Sequence, residues 1–296
     1  MTKIVTHNNK FHTDDVFAVA AVLIAYPDVE IVRTRDPEII QTGDIVVDVG
    51  GIYDEEKGRF DHHQAGGAGV RENGIPYSSF GLVWKKYGEM VSGSKAVQQR
   101  IDLILVEPTD AADNGVNTFT ALFPKVKPYV INNVVNAYRS TWKEEDNWDE
   151  LFLDAVAWAK SHLKRIIKIE QDMMEGSKII LECYEKTADK RIIVIESEEP
   201  LGRETVGGVL SQMPEPVYAV LLTRDHINWQ VLAINKNSTT LSLRKPLPEL
   251  WLAKHDKEFD AATGLEGGVF CHRSGFMCTA NNKETAIKLA EIALNE

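Results

Sequence analysis

The chain has 296 residues, 44% hydrophobic and 26% charged, with 44 acidic against 33 basic side chains and a formal charge of −11. This length suits about two globular domains, and this composition excludes a disordered chain. A field of that sign repels nucleic acid and excludes a passive coating role, although a metal centre with a few local arginines can invert the sign of one cleft.

The chain opens on a short apolar strand over 3–6 with no signal-peptide character, and no apolar run reaches the length of a bilayer. The three cysteines, Cys183, Cys271 and Cys278, suggest no disulfide framework. A cytoplasmic location away from any membrane is the expectation. Asp14 and Asp15 then precede an apolar helix over 16–23, whose first turn they suit electrostatically. Strands follow over 29–33 and 44–50, the latter with the continuous apolar centre of a strand covered on both faces. Further helix is expected over 79–91 and 95–106. Alternating strand and helix predict a largely parallel sheet with helices on both faces and a site at the carboxyl ends of its strands.

From Trp148 to about Met174, apolar residues recur at helical spacing, and Glu175-Gly176-Ser177 reads as the stop. Strands are predicted after it over 179–184, 192–196, 217–222, 229–234 and 239–243, with a closing helix over 287–293. The expected organisation is therefore a catalytic α/β domain over 1–147, a connecting helix over 148–176, and a smaller α+β domain over 177–296. That second domain is expected to be a mostly antiparallel sheet with helices on one face.

Four polar clusters stand at or just beyond the apolar strands. They are 6–15, with His7, His12, Asp14 and Asp15; Asp48 before Gly50-Gly51; Asp61-His62-His63-Gln64; and 107–115, with Asp110 and Asp113. Imidazole mixed with carboxylate suits Mn, Fe or Zn, and the absence of cysteine from this half argues against a structural zinc knot. Singly, each has an ordinary reading: His7 or His12 as a surface or capping residue, Asp14 as a helix cap, Asp48 as a turn residue. Their coincidence at successive strand ends points to two metals holding His7, His12, Asp14, Asp48, His62 and Asp110, with Asp48 as the bridge because a strand end holds it rigidly. Of the last pair, Asp110 is favoured as ligand and Asp113 as a supporting catalytic group. No Walker lysine motif or G-x-G-x-x-G occurs, so ATPase and dinucleotide-cofactor readings lack support.

In the second half, paired glycines at 267–268 with His272, Arg273 and Ser274 form either a phosphate clamp or a tight turn around a core strand. Arg244 adds charge to the same substrate surface or lies on an ordinary one. Trp142 and Trp148 read as packing residues before base-stacking ones.

The Asp61-His62-His63 triplet with the His7/His12/Asp14 cluster, Asp48 and the Asp110 segment resembles the DHH phosphoesterase superfamily. The runs 31–37 and 44–51, with Tyr53-Asp54, Asp113-Asn114-Gly115, Thr141-Trp142, Pro246-Leu247-Pro248 and Ser274-Gly275-Phe276, are similar to the MYG1 family over essentially the whole chain. The resemblance implies a DHH-type fold and a dinuclear manganese centre, with Mg, Co or Zn as alternatives. It also implies that His62 is a ligand and that His63 faces the substrate phosphate. The implied activity is 3'-to-5' exonucleolytic hydrolysis of single-stranded RNA. Alternatives are hydrolysis of short oligonucleotides, cyclic dinucleotides or small phosphoanhydrides, or a metal-stabilised binding protein; a homodimer is compatible with each. The chain departs from the family at 277–282, where a Gly-Gly-His-Arg-Thr-like stretch is common, and at His12, where many superfamily members carry aspartate.

Overall fold

The computed structural model describes residues 1–296 apart from Pro124 and Thr239, and divides the chain into two units, Met1–Gln171 and Asp172–Glu296.

In the first unit the sheet order is β2-β1-β3-β5-β4, formed by β1 (Thr2–Thr6), β2 (Val29–Arg33), β3 (Ile45–Val47), β4 (Tyr53–Asp54) and β5 (Arg59–Phe60). The pairs β1/β2, β1/β3 and β3/β5 are parallel, and β4 closes the edge antiparallel to β5, so the sheet is mixed. Helix α1 (Thr13–Ala25) is buried from Thr13 to Val22, and it packs on α3 (Ser79–Ser92) through ring contacts such as Phe17–Phe80. Such all-round burial explains why the apolar run 16–23 shows little amphipathic periodicity. Ile40 of α2 (Pro37–Gln41) packs with Val5, Val32, Val46 and Val49. Helix α4 (Lys95–Ile101) continues through one π turn, Asp102–Val106, into α5 (Glu107–Asp113). A short α6 (Ile131–Asn136) completes the set around the site.

The long helix differs from expectation. Helix α7 runs Trp148–Lys186, through Gly176, and the segment 179–184 expected as a strand is part of it. An isolated glycine costs a helix only ~1 kcal/mol, and here Gly176 permits close approach, since a Cβ would meet Thr205 at 3.3 Å. Ser177 turns its hydroxyl onto the Met173 carbonyl at 2.7 Å, so the polar pair is satisfied within the helix. Ile180, Cys183 and Tyr184, at helical spacing, then pack into the second unit's core with Ile193, Val206 and Leu221.

That second unit has sheet order β6-β7-β8-β10-β9, from β6 (Ile192–Val194), β7 (Tyr218–Leu222), β8 (Trp229–Ala233), β9 (Gly268–Cys271) and β10 (Met277–Ala280). The pair β6/β7 is parallel and the others antiparallel. Helices cover both faces, correcting the one-face expectation. Tyr218, Val220, Val231 and Cys278 pack with α9 (Asp256–Thr263) and α10 (Lys283–Asn295), while Ala219, Leu221, Leu232 and Met277 pack with α8 (Arg203–Leu210) and the end of α7. Successive residues on these strands are apolar in both directions, which leaves neither face to water. Of the strand expected over 239–243, Thr239 lies outside the described residues, and Leu243 makes one isolated bridge to Asn235.

One glycine lets α3 pack tightly against α5. A Cβ at Gly81, in the first turn of α3, would overlap the Asp110 carboxylate, with Asp110 Cγ only 2.7 Å away. Gly81→Ala is expected to lower stability by about 3 kcal/mol through overpacking; an unchanged denaturant midpoint would refute the tightness of this contact.

Candidate metal centre

The site forms at the carboxyl ends of β1 and β3, where His7 follows the first strand and Asp48 the second. Asp48 adopts φ +56°, a left-handed conformation rare for a residue with a side chain, and its amide donates to the Phe60 carbonyl at 3.1 Å. The turn aims the carboxylate back across the sheet end. Asp48 Oδ2 lies 3.2 Å from His7 Nε2, and Oδ1 lies 3.4 Å from His62 Nε2. Ser79, at the start of α3, donates its hydroxyl to the same Oδ1 at 2.9 Å.

Around Asp48 the side chains fall into three overlapping groups: His7, His12 and Asp48; Asp48, His62 and His63; and Asp14, His62 and Asp113. Within each, the ligand atoms lie within 4.8 Å of one another. Asp14 and Asp15 enter from the first turn of α1, where Asp15 Oδ1 accepts the His12 and Val16 amides and Oδ2 lies 3.1 Å from His7 Nε2. His62 Nε2 is 3.3 Å from Asp113 Oδ2 and 3.9 Å from Asp14 Oδ2. Asp61 faces elsewhere: it accepts from the Gly51 amide at 2.5 Å and from the His63 amide at 3.1 Å, and it pairs with His63 Nδ1 at 2.8 Å. The first residue of the Asp-His-His triplet thus holds the third in orientation, as a supporting carboxylate does.

Whether this set suits a cation is answered by what it leaves unmade. Both oxygens of Asp14, Asp15 Oδ2, His7 Nε2 and His62 Nε2 are buried and make no well-aligned hydrogen bond among the described residues, although several face one another at ion-pair distance. Buried polar atoms are rarely left so, and a divalent ion would satisfy these together. Protonation tells the same story. Burial, then the charges of Asp48, Asp113 and Asp15, hold the Asp14 carboxyl well above the usual range. Burial opposes the His7 imidazolium, but Asp15 and Asp48 outweigh it and push the group up to about 10. Burial likewise raises Asp113, with Asp48 adding to it against the pull of His62. Asp48 itself is held low despite burial, by its contacts with His62 and His7.

These shifts set a pH dependence. The His7 proton is held more tightly in the folded chain than at the ordinary value of 6.5, so its stabilisation is complete below 6.5 and is lost as pH rises through about 10. The raised Asp14 acts in the same direction. The thermal midpoint of metal-free protein is therefore expected to fall with rising pH across this window. Divalent cations, which require deprotonated ligands, should offset the fall. Melting curves with EDTA and with Mg2+ check this, and a flat EDTA profile would contradict it.

The structure separates Asp110 from Asp113. Asp110 is fully buried; it accepts from Ser78 Oγ at 2.6 Å and the Gly81 amide at 3.0 Å, and pairs with Arg71 at 2.7 Å. It belongs to none of the three groups, whereas Asp113, one helical turn further on, belongs to the third. In the second unit Arg244, expected at the substrate surface or on an ordinary one, is tied to the backbone. Its guanidinium donates to the carbonyls of Pro216 and Ser211 at 2.7 and 2.9 Å and to that of Met213, which leaves it a structural tie. His272, Arg273 and Ser274 form the turn between β9 and β10, with His272 Nδ1 2.8 Å from Ser274 Oγ. The divergent stretch after Phe276 is β10, whose Cys278 and Ala280 are fully buried, so apolar residues there serve the core. Trp148 packs edge-on against Phe11, whereas Trp142 is 90% exposed, against expectation.

Two cavities open on the cluster and share His12, Asp48 and His63. One of about 300 Å³ is also lined by Arg35, Gly50 and Gly51; the other, of about 500 Å³, by Asn132, Asn136 and Arg139. Arg35, Asn132, Asn136, Arg139 and Ser79 were not singled out in the sequence. Only the spacing of Asn132 and Asn136, one α-helical turn apart on one face, was available as a signal.

Among the described residues no helix is long and apolar enough to cross a membrane. No solved structure shows a significant match to this chain. A MYG1 protein of Caenorhabditis elegans is 31% identical over 325 residues, covering 99% of this chain and 96% of its own. A MYG1 protein of Schizosaccharomyces pombe is 29% identical, covering 100% and 98%. A protein named MYG1 exonuclease from Homo sapiens is 28% identical, covering 99% and 85%. The MYG1 exonuclease family model, described as "Uncharacterised protein family (UPF0160)", matches residues 3–294, and the chain belongs to this MYG1 (UPF0160) family.

Proposed function

We propose that the protein is a metal-dependent phosphodiester hydrolase of the DHH type that shortens single-stranded RNA from its 3' end. The observation that carries this reading is Asp48, whose two carboxylate oxygens face His7 and His62 separately within a nest of buried imidazole and carboxylate atoms that lack aligned hydrogen bonds. His7, His12, Asp14, Asp48, His62 and Asp113 would hold two divalent ions, and mixed imidazole and carboxylate donors favour manganese over magnesium. Ions held there supply Lewis acidity and lower the pKa of water for in-line displacement at phosphorus.

The chain's own residues do the rest. His63 lines both cavities, and its contact with Asp61 raises the imidazole above its ordinary value, so the ring is placed to donate to a phosphoryl oxygen of a bound substrate. Ser79 fixes the rotamer of Asp48, and Asp15 that of His7. The exonuclease name of the human, rat and mouse relatives supports the choice of a nucleic-acid substrate. The net charge of −11 and the modest cavities favour a second reading, hydrolysis of short oligonucleotides in preference to long strands.

The test is metal-stripped protein resupplied with Mn2+ on end-labelled single-stranded RNA of graded length. Stepwise mononucleotide release from long strands supports the first reading, and activity restricted to the shortest supports the second. No cleavage of any length removes both.

A further inference from the structure

The larger cavity has hydrogen-bonding capacity left unused among the described residues. Arg139 Nε is buried without a partner, and among the described residues no side-chain hydrogen bond or ion pair engages its guanidinium. The group is held by its face, with its central carbon 5.7 Å from the Phe11 ring centroid. Its neighbour Arg33, also over Phe11, is committed to Asp149 and to the Trp148 and Asn9 carbonyls. Arg71 is committed to Asp102 and Asp110. Arg139 is thus a half-buried cation in an acidic neighbourhood with its donors unspent. Asn132 and Asn136 line the same cavity, each bringing two amide donors and an acceptor.

The lining also says what does not belong there. No aromatic ring other than the imidazoles of His12, His62 and His63, and no large aliphatic side chain, lines this cavity among the described residues. A stacked base would find no platform there beyond those rings, which sit among the ligand groups. A planar guanidinium fork beside two carboxamides fits a phosphate with its adjoining sugar hydroxyls. The cavity also contains Asp48, His62, His63 and Asp113, so such a phosphate would be next along the strand from the one hydrolysed.

We propose that Arg139, with Asn132 and Asn136, forms an anion subsite for the phosphate adjoining the scissile one, so that the protein selects substrates carrying at least two phosphates. This rests on the phosphodiesterase reading above, and deepens it by naming which part of the strand is recognised.

The experiment compares UpU with its 5'-phosphorylated form, pUpU. Binding is measured by calorimetry with Ca2+ in place of Mn2+, and hydrolysis separately with Mn2+. Wild-type protein should bind pUpU about 30-fold more tightly than UpU, the scale of a bidentate charge-assisted pair. R139M should bring that ratio close to one. R139K, which keeps the charge and loses the fork, should give an intermediate ratio and guards against a folding defect in R139M. R35M, altering the exposed arginine of the smaller cavity, should keep the preference. Equal binding of the two probes by wild type, a preference surviving in R139M, or one lost in R35M instead would each overturn the subsite. Failure of Mn2+-loaded wild type to cleave either dinucleotide would strike the phosphodiesterase reading alone, because the binding ratio still decides the subsite.

Discussion

Replacing Asp48 with asparagine is expected to remove metal-dependent hydrolysis, lowering kcat/KM by about a thousandfold or more while leaving the fold intact. The magnitude follows from the several kcal/mol that Lewis-acid stabilisation contributes, at 1.36 kcal/mol per factor of ten. Asparagine suits the position for a specific reason: it tolerates the left-handed backbone that φ +56° imposes, and its size is that of aspartate. What it loses is the negative charge and one of the two oxygens that face His7 and His62. Metal content by atomic emission should therefore fall together with activity, while circular dichroism stays unchanged. A variant that keeps both its metal and its turnover would show that Asp48 is not the shared ligand.

The second large effect divides two aspartates three residues apart. Asp110→Asn is expected to destabilise the first unit by about 3 kcal/mol, because it removes the charged acceptor shared by Ser78, the Gly81 amide and Arg71, which keeps only its pair with Asp102. In a unit of this size that corresponds to a fall in thermal midpoint of roughly 10 °C. Burial raises the Asp110 carboxyl to about 6 against the pull of Ser78 and Arg71, so the group is ionised at pH 7 and above, where the comparison should be made. Asp113→Asn should do the reverse, with little change in midpoint and a loss of bound metal, since its carboxylate lies 3.3 Å from His62 on the open side of the cluster. If Asp110→Asn loses metal while remaining fully stable, the assignment of the two residues is inverted.

Much of the site was legible in the residues themselves. His7 and Asp48 each follow an apolar strand, and strands of a parallel arrangement bring their carboxyl ends to one edge whatever the loops do; the 61–63 triplet follows only the short strand Arg59–Phe60. Order and pattern were enough to bring those side chains together. They were enough, too, for the strands 29–33, 217–222 and 229–234, where apolar runs end on polar turns.

What the linear pattern could not decide were matters of partner and of competing faces. Asp110 and Asp113 lie three residues apart on one short helix, and what distinguishes them is Arg71, 39 residues before Asp110 in a glycine-containing loop. No local preference encodes that pairing; only the packed core places Arg71 on one carboxylate and His62 beside the other. The run through Gly176 is similar. A glycine and a serine read locally as a stop, but a neighbouring helix that needs close approach, and a core that takes Ile180 and Tyr184 on one helical face, outweigh a penalty of ~1 kcal/mol. Arg139 was silent in sequence because a lone arginine in a polar stretch is ordinary. Its meaning comes from the neutral amides and acidic side chains that tertiary folding gathers around it, and from a guanidinium that, among the described residues, makes no side-chain hydrogen bond or ion pair. The sequence by itself therefore determined the ligand types and the strand ends that present them. The tertiary structure decided which carboxylates are spent on the core and which face the candidate metal groups, because burial and pairing depend on residues far apart in the chain.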